Sequence, residues 1–169
     1  MTLLETNLLG TVHGGVIMKL VDDVAGTVAQ RHSGGPAVTA SMDEMVFQEP
    51  VRVGDLVLAS AQVNWTGKTS MEVGVRVLAE PWDEAGREPK PVAVAYLVFV
   101  AVDTEGRPRR VPPVLPETDE DRRRQAEAEI RRSSRLARRA AILASREPGP
   151  SAADVVGGRT DGGLRSSAG

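Results

Sequence analysis

The chain has 169 residues, 41% apolar, 26% charged and 3% aromatic, enough for one compact domain with residues left over for a tail. A formal net charge of -2 argues against a dedicated nucleic-acid binder, which carries a strong basic excess. With no cysteine, disulfides, thiolate metal sites and a cysteine nucleophile are excluded, and the two histidines, His13 and His32, are too few for a multi-histidine metal centre. No cofactor is indicated. No run of about 18 apolar residues and no basic leader followed by an apolar segment occurs, so the expectation is a soluble, cytoplasmic protein with no membrane partner.

In chain order, residues 15–29 (GVIMKLVDDVAGTVA) lack proline and are apolar almost all round, which predicts a buried helix wrapped by a sheet. Ala25 and Gly26 suit the close backbone approach that wrapping needs, and Gly34, Gly35 and Pro36 break the chain after it. Four strands are predicted next. Residues 37–47 alternate raggedly, residues 55–66 follow a Val53-Gly54-Asp55 turn, and residues 70–79 alternate cleanly with Met71, Val73, Val75 and Val77 on one face. Residues 91–102 are nearly continuously apolar, as in a central strand buried on both faces. Gly67-Lys68-Thr69 reads as a hairpin turn and residues 81–90 as a charged loop containing Trp82.

After Pro108, Pro112, Pro113 and Pro116, which favour an extended connection, residues 117–145 predict a second, charged helix. Acidic residues crowd its start and arginines its later turns, matching the helix dipole, and Thr118 or Asp119 is placed to cap it. Ile130, Leu136, Ile142 and Leu143 give a sparse apolar stripe suited to lying on a surface. Its arginines are interleaved with glutamates, which favours a salt-bridged, solvated face over a nucleic-acid one. Residues 147–169, rich in Gly, Ser, Ala and Pro, cannot bury enough surface to offset ordering and are expected to be disordered. The whole is an α+β arrangement: one central helix, an antiparallel sheet and a peripheral C-terminal helix.

Chemistry concentrates where Gly14 and Gly15 lead into the first helix. Two glycines there leave backbone N–H groups unshielded at the positive end of the dipole, an arrangement suited to an oxyanion, although a tight turn or close packing accounts for them equally well. Asp22 and Asp23 follow among apolar neighbours; pointing about 100° apart, they cannot share one environment. One of them must be paired, interfacial or functional, as a general base or a nucleophile. His13 has no partner for a relay, and His32 reads as a favourable charge at a helix C-terminus. Lys68, Thr69 and Ser70 offer a cation, hydroxyls and N–H groups to a phosphate, or form a plain polar turn.

Taken in order, these residues resemble the hotdog-fold acyl-CoA thioesterases, in the acyl-CoA hydrolase branch that includes cytosolic brain-type enzymes and bacterial YciA-like proteins. The matching elements are Asn7-x-x-Gly10-x-x-His13-Gly14-Gly15-x-Ile17-Met18, Asp22, Val38-Thr39 and Phe47-x-x-Pro50-Val51-x-Val53-Gly54-Asp55. They continue with Gly67-Lys68-Thr69-Ser70-Met71, Phe99-Val100-Ala101-Val102-Asp103 with Gly106, and Val111-Pro112. The resemblance implies a hotdog domain over residues 1–116, followed by the helix of residues 117–146. It implies hydrolysis of acyl-CoA by Asp22, as base or nucleophile, with Asn7 from a partner subunit. His13, Gly14, Gly15, Thr39, Lys68, Thr69 and Ser70 become substrate contacts, and no metal is implied. The implied assembly is a homodimer, further joined as a trimer of dimers. Family members usually carry a longer segment and a first strand ahead of this asparagine; here six residues precede Asn7. An aryl-CoA thioesterase of the phenylacetic-acid type and a non-catalytic acyl-CoA-binding regulator are the competing readings.

Overall fold

In the computed structural model, residues 6–82 and 88–146 are described, so the expected tail and the centre of the expected loop at residues 81–90 lie outside them. Helix α1 (Gly14–Ser33) is followed by strands β1 (Ala37–Phe47), β2 (Leu56–Thr66), β3 (Ser70–Glu80) and β4 (Lys90–Ala101), then helix α2 (Asp119–Ala144). α1 stops at Gly34, whose φ of 69° is left-handed and costs glycine nothing. Arg109 then takes the helix's carbonyl end, donating to the Ser33 carbonyl at 2.7 Å and to Ser33 Oγ at 3.2 Å. His32 Nε2 lies 3.0 Å from the Pro112 carbonyl, so it ties α1 to the segment after β4 and is more than a dipole charge.

Only one stripe of α1 is buried: Ile17, Val21, Ala25, Ala29 and Ser33. Met18 is 42% exposed, and Asp22 and Val24 are half-buried. All-round burial of this helix is therefore corrected. Apolar composition records how much surface needs cover, and the single chain covers one face. Gly26 is not needed for close packing either, since a Cβ there would meet one Phe99 ring carbon at an ordinary 3.6 Å.

The sheet order is β1-β4-β3-β2, with every pair antiparallel. Met71, Val73, Val75 and Val77 of β3 pair with Phe99, Leu97, Ala95 and Ala93 of β4, and this row forms the core under α1. β1 is an edge strand with two register shifts, and its Val38, Val46 and Phe47 are 51%, 45% and 48% exposed. No full strand precedes α1 among the described residues; isolated bridges join Thr6 to Val12 and Thr11 to Arg52.

Alternation of period two sends Glu72, Gly74 and Arg76 to the opposite face of the sheet. The first half of α2 lies there, within a compact unit that runs to Arg132; residues from Ser133 form a second unit. Thr118 and Asp121 cap α2 reciprocally, Asp121 N–H donating to Thr118 Oγ1 at 3.1 Å and Thr118 N–H to Asp121 Oδ2 at 3.0 Å. The expected apolar stripe does not dock this helix: Ile130 is 65% exposed, and Leu136, Ile142 and Leu143 are exposed as well. Ala128 is buried instead, and Arg131 makes the contacts to the sheet. No helix among the described residues is long and apolar enough to cross a membrane.

Candidate active site

α1 and β1 run antiparallel, and each end of that pair carries one half of a possible active site. At one end, Thr39 Oγ1 donates to Asp22 Oδ1 at 2.7 Å. Asp22 is thus the member of the aspartate pair turned toward the sheet. Asp23 points outward, pairs with Lys19 at 2.5 Å and is 59% exposed at its side chain. Lys19 has its pKa raised by the hydrogen bond and charge of that aspartate. The hydroxyl of Thr39, expected as a substrate contact, is spent on orienting the Asp22 carboxylate.

At the other end, Gly14 and Gly15 open α1. His13 is the N-cap, its side chain makes no capping bond, and no acidic residue occupies the first turn. Val16 N–H is satisfied by the His13 carbonyl at 2.9 Å, whereas the Gly14 and Gly15 N–H groups have no partner among the described residues. Neither glycine has a positive φ. A Cβ at Gly14 would sit 3.5 Å from the Phe47 ring, and one at Gly15 would meet nothing within 4 Å. Turn strain and tight packing, the plain explanations for the two glycines, are therefore both absent. What remains is two bare N–H donors at a helix N-terminus.

Asn7 is half-buried and held by its own loop. Its Oδ1 accepts from Leu9 N–H at 2.9 Å and Thr11 N–H at 3.2 Å, and its Nδ2 donates to Thr11 Oγ1 at 2.8 Å. With the oxygen committed and one amide hydrogen used, Asn7 has a single N–H left to offer. No hydrogen bond joins Asn7 to Asp22 within the chain. The Lys68-Thr69-Ser70 turn is more than a polar hairpin: the Thr69 and Lys68 carbonyls accept from Ala101 N–H at 3.0 Å and Val111 N–H at 3.1 Å. Ser70 pairs with Val100, which pairs with Val38, so this turn stands two strands from Thr39 at the same end of the sheet. Lys68 is exposed and makes no ion pair with another described residue.

Sequence reasoning missed two features. One is an open pocket of about 300 Å³ beside Gly14, walled by Val12, Ile17, Phe47, Val51 and Val92 and also by Gln48, Glu49 and Pro50. The other is buried Glu72, 2% exposed, bound by Arg131 Nη2 at 2.7 Å and by Asn64 Nδ2 at 3.2 Å. Its signal, a glutamate inside a clean alternation, is indistinguishable from a solvated outer face until α2 is placed. Among the described residues, no group of three His, Asp or Glu side chains is arranged to hold a metal ion.

Residues 9–85 match the model of the thioesterase superfamily. The chain is 42% identical over 118 residues to the uncharacterized acyl-CoA thioester hydrolase YkhA of Bacillus subtilis, covering 70% of this chain and 67% of that one. It is 39% identical over 120 residues to the cytosolic acyl coenzyme A thioester hydrolase of Mus musculus, covering 71% of this chain. It spans about a third of that mouse protein, 32% of its length. Among solved structures, an apo-hexameric acyl-CoA thioesterase superposes with a TM-score of 0.78 at 36% identity, over 83% of this chain and 88% of that one. The acyl-CoA hydrolase of Staphylococcus aureus, solved with butyryl coenzyme A, coenzyme A and coenzyme A disulfide, superposes with a TM-score of 0.76 at 35% identity, over 84% and 85%. Structures of that hydrolase with alanine in place of an asparagine, an aspartate and a threonine are also known. That aspartate follows the asparagine by 15 residues and the threonine follows the aspartate by 17, the same spacings that separate Asn7, Asp22 and Thr39 here.

Proposed function

This chain belongs to the thioesterase superfamily, and we propose that it hydrolyses acyl-CoA to a free fatty acid and CoA at a site shared by two copies of the chain. One observation carries the reading: α1 and β1 hold Asp22 beside Thr39 at one end and Gly14 beside Phe47 at the other. Eight residues of helix at 1.5 Å each separate Gly14 from Asp22 by about 12 Å. An attacking group and an oxyanion hole must both lie about 3 Å from one reacting centre, so a single chain cannot supply both. β1 is a long edge strand with exposed apolar residues, which calls for a partner. If a second copy pairs with it antiparallel about a two-fold axis near residue 43, Thr39 of one chain lies opposite the partner's Phe47. The partner's Gly14 is then brought to Asp22. We propose that three such dimers join in turn, a count with which the hexameric state of one structural relative agrees. A cytoplasmic setting agrees with the name of the mouse relative.

In this scheme the carbonyl oxygen of the thioester lies against the N–H groups of Gly14 and Gly15. Asp22, aimed by Thr39, removes a proton from water as the water oxygen attacks the carbonyl carbon, or attacks the carbon itself. Either way the carbonyl π pair moves to oxygen, where the two N–H groups and the helix dipole stabilise it. Collapse breaks the C–S bond and releases the CoA thiolate, a better leaving group than an alkoxide, and this thiolate takes up the proton Asp22 removed; where Asp22 itself attacked, a water then hydrolyses the acyl–Asp22 anhydride to free the acid and restore the carboxylate. The spare N–H of Asn7 holds the water or carbonyl oxygen, and Lys68 with its turn takes the phosphate end of CoA. The matching spacings to the three altered residues of the S. aureus hydrolase support these positions.

The test is thiol release from short, long, branched and aryl acyl-CoAs. Release of CoA is expected, and no release from any of them overturns the reading. Two variants refine it. Thr39→Val is expected to lower kcat/KM about 10- to 100-fold, the worth of a hydrogen bond to a charged group, with Thr39→Ser recovering most of it. Gly15→Ala is expected to stabilise the fold by up to about 1 kcal/mol through helix propensity. It should nonetheless cut kcat/KM at least about tenfold by shielding the oxyanion donors. Thermal melts and steady-state kinetics on the same sample check these opposite signs.

A further inference from the structure

Asn7 sits in a loop that fixes one end of its amide more firmly than the other. The loop turns at Gly10, whose φ of 75° a side chain rarely adopts. It closes with Gly10 N–H on the Asn7 carbonyl at 3.0 Å and Asn7 N–H on the Thr11 carbonyl at 2.8 Å. Its far end is tied to the core: Val12 is buried and donates its N–H to the Val51 carbonyl at 2.8 Å, and Thr11 bridges Arg52. Thr11 is therefore held by strand-like contacts, and Asn7 is held by Thr11. The N–H groups of Leu9 and Thr11 can only donate, so they decide which end of the Asn7 amide is oxygen. They say nothing to its nitrogen. Among the described residues, the nitrogen has one partner, Thr11 Oγ1 at 2.8 Å.

We propose that Thr11 is a positioning residue for the hydrolysis. By accepting one of the two Asn7 amide hydrogens, its hydroxyl sets the plane of the amide and so the direction of the other, the N–H that holds the water or thioester oxygen. The proposal rests on the thioesterase reading above and adds a residue to it. Thr11 Oγ1 touches no reacting atom and acts through Asn7 alone. Rotation of a terminal amide about its last side-chain bond is soft, so without that acceptor the plane is free to swing toward water. The remaining links between the two residues use Thr11 main-chain groups, its N–H to Asn7 Oδ1 and its carbonyl from Asn7 N–H. A change of the Thr11 side chain leaves both in place. Valine, with the shape of threonine and no acceptor, therefore removes the aim and keeps the loop.

The experiment is steady-state kinetics and thermal melts on Thr11→Val, Thr11→Ser, Asn7→Ala and the double variant Thr11→Val/Asn7→Ala, with a crystal structure of Thr11→Val. Thr11→Val is expected to lower kcat about tenfold or more with KM within about twofold, and Thr11→Ser to recover most of the rate. The Thr11→Val melt should stay within about 4 °C of wild type, since one half-buried hydrogen bond is lost. Asn7→Ala should lower kcat about 100-fold or more. Adding Thr11→Val to it should lower kcat less than about twofold further, because the amide through which Thr11 acts is gone. Asn7→Ser, whose hydroxyl still accepts from the loop N–H groups, replaces the alanine variant if the latter fails to fold. Equal losses from Thr11→Val in both backgrounds overturn the proposal, as does a folded Thr11→Val with the wild-type rate. The crystal structure separates this inference from the catalytic one. An Asn7 amide turned out of its wild-type plane supports the positioning role even without hydrolysis, and an unmoved amide overturns it even where the rate falls.

Discussion

Asp22→Ala is expected to remove thiol release, lowering kcat by about 1,000-fold or more, while the protein melts within about 1 kcal/mol of wild type. The two halves of that expectation have different origins. The carboxylate is the one acid group of α1 turned toward the sheet, and nothing nearby replaces it as base or nucleophile. Structurally it accepts one hydrogen bond, from Thr39, itself exposed and able to turn to water once the carboxylate is gone. Full activity in a folded Asp22→Ala protein refutes the site. The shared-site geometry adds a sharper outcome. Asn7→Asp keeps an acceptor for Leu9 and Thr11 N–H but replaces the free amide donor with negative charge, so it should be inactive yet folded. Co-folding inactive Asn7→Asp and Asp22→Ala chains in equal amounts should return about a quarter of wild-type activity. Half of the random dimers are mixed, and each mixed dimer holds one intact site of two. No recovery on mixing would place Asn7 and Asp22 of the same chain in each site.

The order of elements was legible because period-two alternation in β3, the uninterrupted apolar run of β4 and the Gly34-Gly35-Pro36 break are local signals. The choice between Asp22 and Asp23 was legible only through the family resemblance: adjacent residues share composition, and in the structure it is the hydroxyl of Thr39, 17 residues on, that marks the carboxylate turned toward the sheet, while Asp23 pairs with Lys19. Gly14 and Gly15 drew notice in the sequence, but two mundane explanations stood until backbone angles and empty space around Gly15 removed them. The apolar stripe of α2 misled for a related reason. Hydrophobic spacing located Ile130, while the docking of this half of the helix depends on an arginine meeting a glutamate 59 residues away. No short-range pattern encodes that distance.

That arginine should carry the largest single share of stability on the outer face of the sheet. Glu72 has almost no contact with water, and its oxygens are satisfied by Arg131 Nη2 at 2.7 Å, Arg131 Nε at 3.2 Å and Asn64 Nδ2 at 3.2 Å. The guanidinium also lies 3.6 Å over the Tyr96 ring. Burial disfavours the Arg131 charge, but the hydrogen bonds and charge of Glu72 outweigh it and hold its pKa above the usual value. A buried ion pair need not be more stable than a well-packed apolar pair, yet deleting one partner is costly in either case. Arg131→Ala leaves a carboxylate with no counter-charge in a site that water barely reaches, which costs about 3–5 kcal/mol. For a chain of this size that is a fall in Tm of roughly 10 °C. Adding Glu72→Gln should restore much of the loss, because a neutral amide is far cheaper to bury and still accepts from Asn64. A surface ion pair would behave otherwise, losing under about 1 kcal/mol with no rescue. Since Arg131 and α1 lie on opposite faces of the sheet, the single variant assayed well below its Tm should keep its kcat/KM. Loss of activity without loss of stability would mean that the outer face reaches the site.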